Sequence, residues 1–205
     1  TTVAPTATLP VTAVPTTAVP TTVVPTQTAT ISTPTATSVV PTPTATTVTP
    51  VPDSAKWVSA YYDVKTADQL PIDQIDWSTL THLVVSRIRP NYDGSVITTF
   101  DLTSADGPVI AKNLAQRAHA NQRKALLRVG GLGDRWLFSY AANEDNRALF
   151  VQNLINTVDS LGYDGLDIDW QPIYEEDQPV LLALIADLRA AKPGIIITVP
   201  VTWVN

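Results

Sequence analysis

After residue 56 the apolar positions of this chain fall into two kinds of spacing. Short β-branched and aromatic runs alternate with longer segments whose apolar residues recur every three or four positions. Residues 57–62, Trp57-Val58-Ser59-Ala60-Tyr61-Tyr62, are the first short run and predict a strand. Residues 83–88 predict a second strand, and Asn91-Tyr92-Asp93-Gly94 behind it is a turn sequence. Val109, Ile110, Leu114 and Ala118 lie at helical spacing and predict a helix over about 107–121. Residues 124–129 predict a strand that runs into Gly130-Gly131. Leu149, Phe150, Leu154, Ile155 and Val158 form the stripe of a second helix, over about 143–161, which Gly162 ends. Residues 163–170 predict a fourth strand. Residues 181–191 predict a third helix closed by Lys192-Pro193-Gly194, and residues 195–199 a fifth strand.

Strands separated by helices of this length make βαβ units, and therefore a parallel sheet. Right-handed crossovers leave two architectures: an open doubly wound sheet or a closed (β/α) barrel. No G-x-G-x-x-G follows the first strand, which removes the main support for a dinucleotide-binding version of the open sheet. In a barrel the chemistry sits at the C-terminal ends of the strands.

Composition divides the chain at residue 52. Residues 1–52 hold 20 Thr and 10 of the 17 Pro, and no charged residue, aromatic or Gly. Pro5, Pro10, Pro15, Pro20 and Pro25 recur every five residues. Proline fixes φ and pushes the preceding residue out of the α region, and β-branched Thr and Val favour extended backbone. The segment therefore predicts a disordered, polyproline-II-like linker with no folded core, reaching roughly 3 Å per residue where extended. Thr with Pro is also the composition of an O-glycosylated stalk; an unmodified linker is the plainer reading. Either would hold residues 53–205 away from a surface or from a tethered second module upstream.

Charge and residue usage narrow the function. The net charge of −6 argues against a nucleic-acid partner. No apolar run reaches the roughly 18 residues of a membrane span. The absence of Cys excludes disulfides and thiolate metal sites, and two His argue against a multi-histidine centre. No metal and no cofactor is expected. The chain starts at Thr1 rather than Met, so a processed or cut piece is expected, with any export signal upstream and an extracellular or cell-surface location.

The chemical centre is the fourth strand. Side chains alternate along a strand, so Asp167, Asp169 and Gln171 share one face, and Leu166, Ile168 and Trp170 share the other. Two carboxylates on one face repel, and burial would raise at least one pKa. Such strain is tolerated mainly where it is used. A solvated strand end, with or without a Ca²⁺ ion, is the alternative that residue type alone leaves open.

The run Asp164-Gly165-Leu166-Asp167-Ile168-Asp169-Trp170-Gln171 resembles the DGxDxDxE motif of glycoside hydrolase family 18, the chitinases and chitinase-like proteins. Residues 57–62 look like the first strand of that family, Leu80-Thr81-His82-Leu83 like the entry to its second, and residues 124–131 like its third strand with the SxGG motif. Asn146-Arg147 followed by Phe150 resembles the helix before its fourth strand. The resemblance covers residues 56–205 and implies about the first five strands of a (β/α)₈ TIM barrel. Taken alone, five strands would leave an open sheet with exposed edges, which predicts poor solubility of residues 53–205.

The resemblance implies substrate-assisted retaining hydrolysis of β-1,4-linked N-acetylglucosamine glycans such as chitin. The acid at the end of the motif protonates the glycosidic oxygen while the sugar's own acetamide attacks. Asp169 would orient that acetamide, Asp167 would share a proton with Asp169, and Asp164 would support both through hydrogen bonds. The acid position here is Gln171. An amide cannot act as a general acid, and losing one removes about 10²–10⁴-fold of rate. Two readings therefore stay open: a chitinase-type hydrolase lineage, or a catalytically silent module that binds glycans.

Arg128 stands where the SxGG motif has Ser, and Arg87 where the second strand has an aromatic. Facing inward, both could pair with Asp167 and Asp169 and hold them ionised, with subfamily variation and no adapted site as the plainer reading; both count as candidate substrate contacts. Tyr61, Trp136 and Tyr174 are candidate sugar-stacking aromatics, whereas Trp170 shares the packing face. Glu175 and Glu176 read as loop residues, with replacement of the missing acid as the remote alternative. His82 and His119 read as structural.

Overall fold

The structure, a computed structural model, describes residues 56–200. The linker expected over residues 1–52 lies outside the described residues.

Five parallel strands form the sheet: β1 (Ser59–Asp63), β2 (His82–Pro90), β4 (Lys124–Leu132), β5 (Gly165–Gln171) and β6 (Ile196–Thr198). They lie side by side in the order β1-β2-β4-β5-β6. Spatial order follows chain order, with no reversal. An open doubly wound sheet reverses at its switch point, so this winding is that of a partial (β/α) barrel. The two-residue β3 (Val96–Ile97) folds back antiparallel on the end of β2.

The helices are α1 (Asp106–Ala120), α2 (Arg135–Ala141), α3 (Arg147–Leu161) and α4 (Gln178–Ala191). α1 buries Ala111, Leu114, Ala115 and Ala118; α3 buries Phe150, Leu154, Val158 and Leu161. These stripes meet Leu83, Val85, Leu127, Val129, Leu166, Ile168 and Trp170 in one core. Each fully buried aliphatic side chain there contributes roughly 1.5–3 kcal/mol. Gly162 ends α3 at φ 77°, where its N–H reaches the Val158 carbonyl.

The helices depart from the sequence expectation in three places. α3 begins at Arg147 rather than 143, because the Asn143 side chain accepts the Asn146 N–H at 2.9 Å and holds the preceding residues in a turn. α4 begins at Gln178 rather than 181, with Pro179 in its first turn, where a missing N–H is harmless. α2 has only seven residues, too few to show a periodic stripe, and was not expected.

Candidate functional site

The opposite face of the sheet from the core carries the polar residues. β4 and β5 pair in register, placing Arg128 beside Asp167, Gly130 beside Asp169 and Leu132 beside Gln171. Asp167 and Asp169 are each 1% exposed. Asp167 accepts from the Tyr61 hydroxyl at 3.1 Å and from the Thr198 hydroxyl at 2.5 Å. β1, β5 and β6 thus converge on one carboxylate. Burial pushes the Asp167 carboxyl above its ordinary pKa and the Asp169 charge adds to this, against the opposing pull of Thr198, Tyr61 and Arg128. The Tyr61 hydroxyl is in turn pushed up to about 12, by burial first and by the Asp167 charge second.

Arg128 reaches across the strand pair and donates from Nε to Asp169 Oδ2 at 2.6 Å, with a second contact from Nη2 to the same oxygen. Asp169 Oδ1 is buried and has no hydrogen-bond partner among the described residues. A ligand N–H or O–H brought to this oxygen would satisfy it.

Arg87 forms no ion pair with Asp167 or Asp169. Its Nε donates to Asp101 at 2.9 Å and its Nη1 to Asp134 at 3.2 Å. A register shift between Val85 and Ile88 breaks the simple alternation of β2 at this point. The two guanidinium groups still approach each other across Gly131. A Cβ there would lie 2.8 Å from Arg87 Nη1 and 3.3 Å from Arg128 Nη2. Arg89 also donates to Asp134, from Nε at 3.1 and 3.2 Å and again through Nη2. The buried Asp134 is therefore the anchor of an Arg87–Asp134–Arg89 cluster that ties β2 to the start of α2. Sequence reasoning missed it; the Arg-x-Arg spacing on β2 was the available signal.

Gln171 ends β5, and its backbone carbonyl accepts the Gly133 N–H at 3.1 Å. Trp170 points the other way. It is 1% exposed and stacks on Phe138 with ring centroids 4.9 Å apart. It is a core residue.

Asp164 lies at the other end of β5 and touches neither Asp167 nor Asp169. It accepts from Lys124 Nζ at 2.7 Å and from the Ala125 N–H at 2.9 Å, and its Oδ2 lies 2.7 Å from His119 Nε2. Burial alone would raise its pKa, but these partners outweigh burial and hold the carboxyl below its ordinary value. His82 sits at this same end, stacked on Trp57 with centroids 3.5 Å apart.

The rim above β4 and β5 holds Trp136 and Tyr174, 63% and 50% exposed. The Arg135 guanidinium lies between them, 5.0 Å from the Trp136 ring and 4.6 Å from the Tyr174 ring. Arg135 donates to Asp177 at 2.7 Å and to Glu176 at 2.9 Å. Glu176 is thus engaged in the rim rather than directed at the carboxylate pair. Among the described residues no cluster of His, Asp and Glu could hold a metal ion. No helix among them is long and apolar enough to cross a membrane.

Comparison with known proteins sets this geometry in context. The model of the glycosyl hydrolases family 18 matches residues 57–202. A chitinase-like effector of Moniliophthora perniciosa is 31% identical over 145 residues, covering 65% of this chain and 32% of that protein. A chitinase-like effector of Moniliophthora roreri is 25% identical over 143 residues, covering 64% of this chain and 34% of that protein. The chain thus spans about a third of the length of these two relatives. The crystal structure of the Ostrinia furnacalis Group IV chitinase in complex with allosamidin superposes with a TM-score of 0.62 at 25% identity, covering 72% of this chain and 44% of that one.

Proposed function

Because the chain belongs to glycosyl hydrolase family 18, we propose that it binds β-1,4-linked N-acetylglucosamine glycans of the chitin type without hydrolysing them. One observation carries the reading. The polar face of β5 that begins with Asp167 and Asp169 ends in the amide of Gln171, and Arg128 occupies Asp169 Oδ2. The amide cannot supply the proton that a leaving sugar oxygen needs. The ion pair turns the Asp169 carboxylate toward the protein's own cation. What remains fits binding: a buried acceptor without a partner at Asp169 Oδ1, and the Tyr61 hydroxyl on the neighbouring Asp167.

Two further facts support this reading. The Moniliophthora relatives are described as chitinase-like effectors rather than as chitinases. The Ostrinia chitinase of the same fold binds allosamidin. The competing reading, an active hydrolase, draws on the retained Asp167–Asp169 pair and on the burial that raises the pKa of Asp167. The Thr/Pro-rich residues 1–52 suit an exported protein whose barrel is held on a spacer, and extracellular action is part of the proposal.

Calorimetric titration of the full protein with chitin hexasaccharide, paired with chromatography of the same solution after prolonged incubation, tests both parts. Binding with the oligosaccharide left intact is the expected result. Shortened products would overturn the silent reading, and absence of binding would overturn the glycan reading.

A further inference from the structure

The geometry points to a second glycan contact at the rim, separate from the carboxylate face: Trp136 and Tyr174 form one sugar-stacking subsite whose two rings are positioned by Arg135. This rests on the proposed glycan binding and extends it.

The two rings come from different loops. Trp136 is in the first turn of α2, after β4; Tyr174 follows the end of β5. Their joint placement has a single cause. The Arg135 side chain is only 14% exposed, and its guanidinium lies over both rings, 5.0 Å from the Trp136 centroid and 4.6 Å from the Tyr174 centroid. Its planar fork is fixed from the sides by Asp177 and Glu176. Asp177 also accepts the Tyr174 N–H at 2.9 Å, so the carboxylate that orients Arg135 fixes the backbone of the second ring. Gly133, on the Trp136 loop, donates to the Gln171 carbonyl and joins the two loops directly. Rings held this way lose little freedom when a ligand arrives.

Trp136 is the more exposed of the two, on a helix that fully buries its neighbour Phe138. An exposed indole beside a buried phenyl ring is not a packing requirement. The chemistry around it selects the ligand class. Arg135 is neutralised by Asp177, and Glu176, 70% exposed, leaves a carboxylate at the edge of the patch. An anionic ligand would meet net negative charge. A neutral pyranose instead offers a C–H face to the rings and O–H donors to the carboxylate edge. Both loops leave the C-terminal ends of the strands that carry Arg128 and Asp169, so a glycan chain lying over that face runs on to the rim.

The test is calorimetric titration of the full protein and of its Trp136→Ala, Tyr174→Ala and Arg135→Lys variants, each with chitin disaccharide and hexasaccharide, alongside thermal melts. Each ring removed should weaken hexasaccharide binding about tenfold, the scale of one lost aromatic contact. Disaccharide binding and the melting temperature should stay unchanged. Arg135→Lys keeps the charge but loses the flat fork, and should weaken the hexasaccharide as the ring variants do. Hexasaccharide binding unchanged in the ring variants would overturn the subsite while leaving the glycan reading intact, and would leave the patch to a protein partner. Equal weakening for both sugars would also overturn it, by placing the rings in the central site. A wild-type protein that binds neither sugar would overturn the glycan reading and the subsite together.

Discussion

Arg128 and Asp169 form an ion pair across β4 and β5, with Nε 2.6 Å from Oδ2, and the carboxylate it engages is buried. The pair has two consequences. It neutralises a charge that could not otherwise remain in so dry a position. It also takes one oxygen of the carboxylate that family resemblance assigns to the substrate acetamide. On the proposed reading Arg128 and Gln171 would act against hydrolysis separately, one by occupying the stabilising carboxylate and one by lacking a proton.

This separation is testable in turnover. Gln171→Glu alone should leave hydrolysis of a chromogenic chitobioside near background. Gln171→Glu with Arg128→Ser should cleave it about a hundredfold faster or more, the lower end of the 10²–10⁴-fold that a general acid gives once the ion pair no longer obstructs it. Equal rates in the single and double variants would show that the ion pair does not obstruct. Arg128→Ser alone should also cost roughly 3 kcal/mol in urea unfolding, because it strands the buried Asp169 charge.

Gly130 is a second position with a sharp expectation. It has φ 77°, and a Cβ placed there would lie 2.4 Å from the Phe138 ring. Phe138 cannot retreat, since it is fully buried between Phe150 and Trp170. Gly130→Ala should combine backbone strain with overpacking and destabilise by about 2–4 kcal/mol. A urea midpoint within error of wild type would show that β4 can shift at this point. The Trp170 indole stacked on Phe138 gives a local probe, because a displaced ring should change its fluorescence.

Much of this architecture is legible in the amino-acid sequence, for identifiable reasons. The five parallel strands and the long helices are written as period-2 and period-3.6 patterns, and the alternation along β5 assigns Asp167 and Asp169 to one face and Trp170 to the other. What stays hidden depends on contacts between distant segments. Arg87 engages Asp101 and Asp134 from a strand whose register shift is a property of strand pairing, not of residue type. Asp134 and Asp177 look like ordinary loop acids until β2 and α2 bring Arg87, Arg89 and Arg135 onto them. Thr198 is one more β-branched strand residue until β6 pairs with β5 and sets its hydroxyl on Asp167.

Asp164 separates a family motif from a local role. Its partners, Lys124, the Ala125 N–H and His119, all lie at the N-terminal end of the sheet. Asp164→Ala should therefore lower stability by about 1–3 kcal/mol, the cost of leaving the Ala125 N–H and its neighbours unpaired. Chitin hexasaccharide affinity should be unchanged. A fall in affinity with stability retained would instead assign Asp164 to the site.

Asp167 gives the protein a pH dependence of opposite sign to that of most paired carboxylates. Burial raises its pKa in the folded state, so between the unfolded carboxylate value near 4 and the folded value the native protein holds more protons than the unfolded chain. Stability from this group is therefore complete below that window and is lost as pH rises through it. Asp101 and Asp164 work the other way. Their folded pKa values are lowered, so their contribution is complete above the unfolded value and is lost as pH falls below it. Above about pH 4 the Asp167 effect should stand alone among these three. Asp167→Asn keeps the shape and one of the two acceptor oxygens that Tyr61 and Thr198 use, and removes the titration. Urea midpoints measured for both proteins from pH 4 to pH 8 should show wild type losing stability relative to Asp167→Asn as pH rises, then running parallel to it. A constant difference over the whole range would mean that Asp167 is ionised throughout, and the upward shift of its pKa would have to be abandoned.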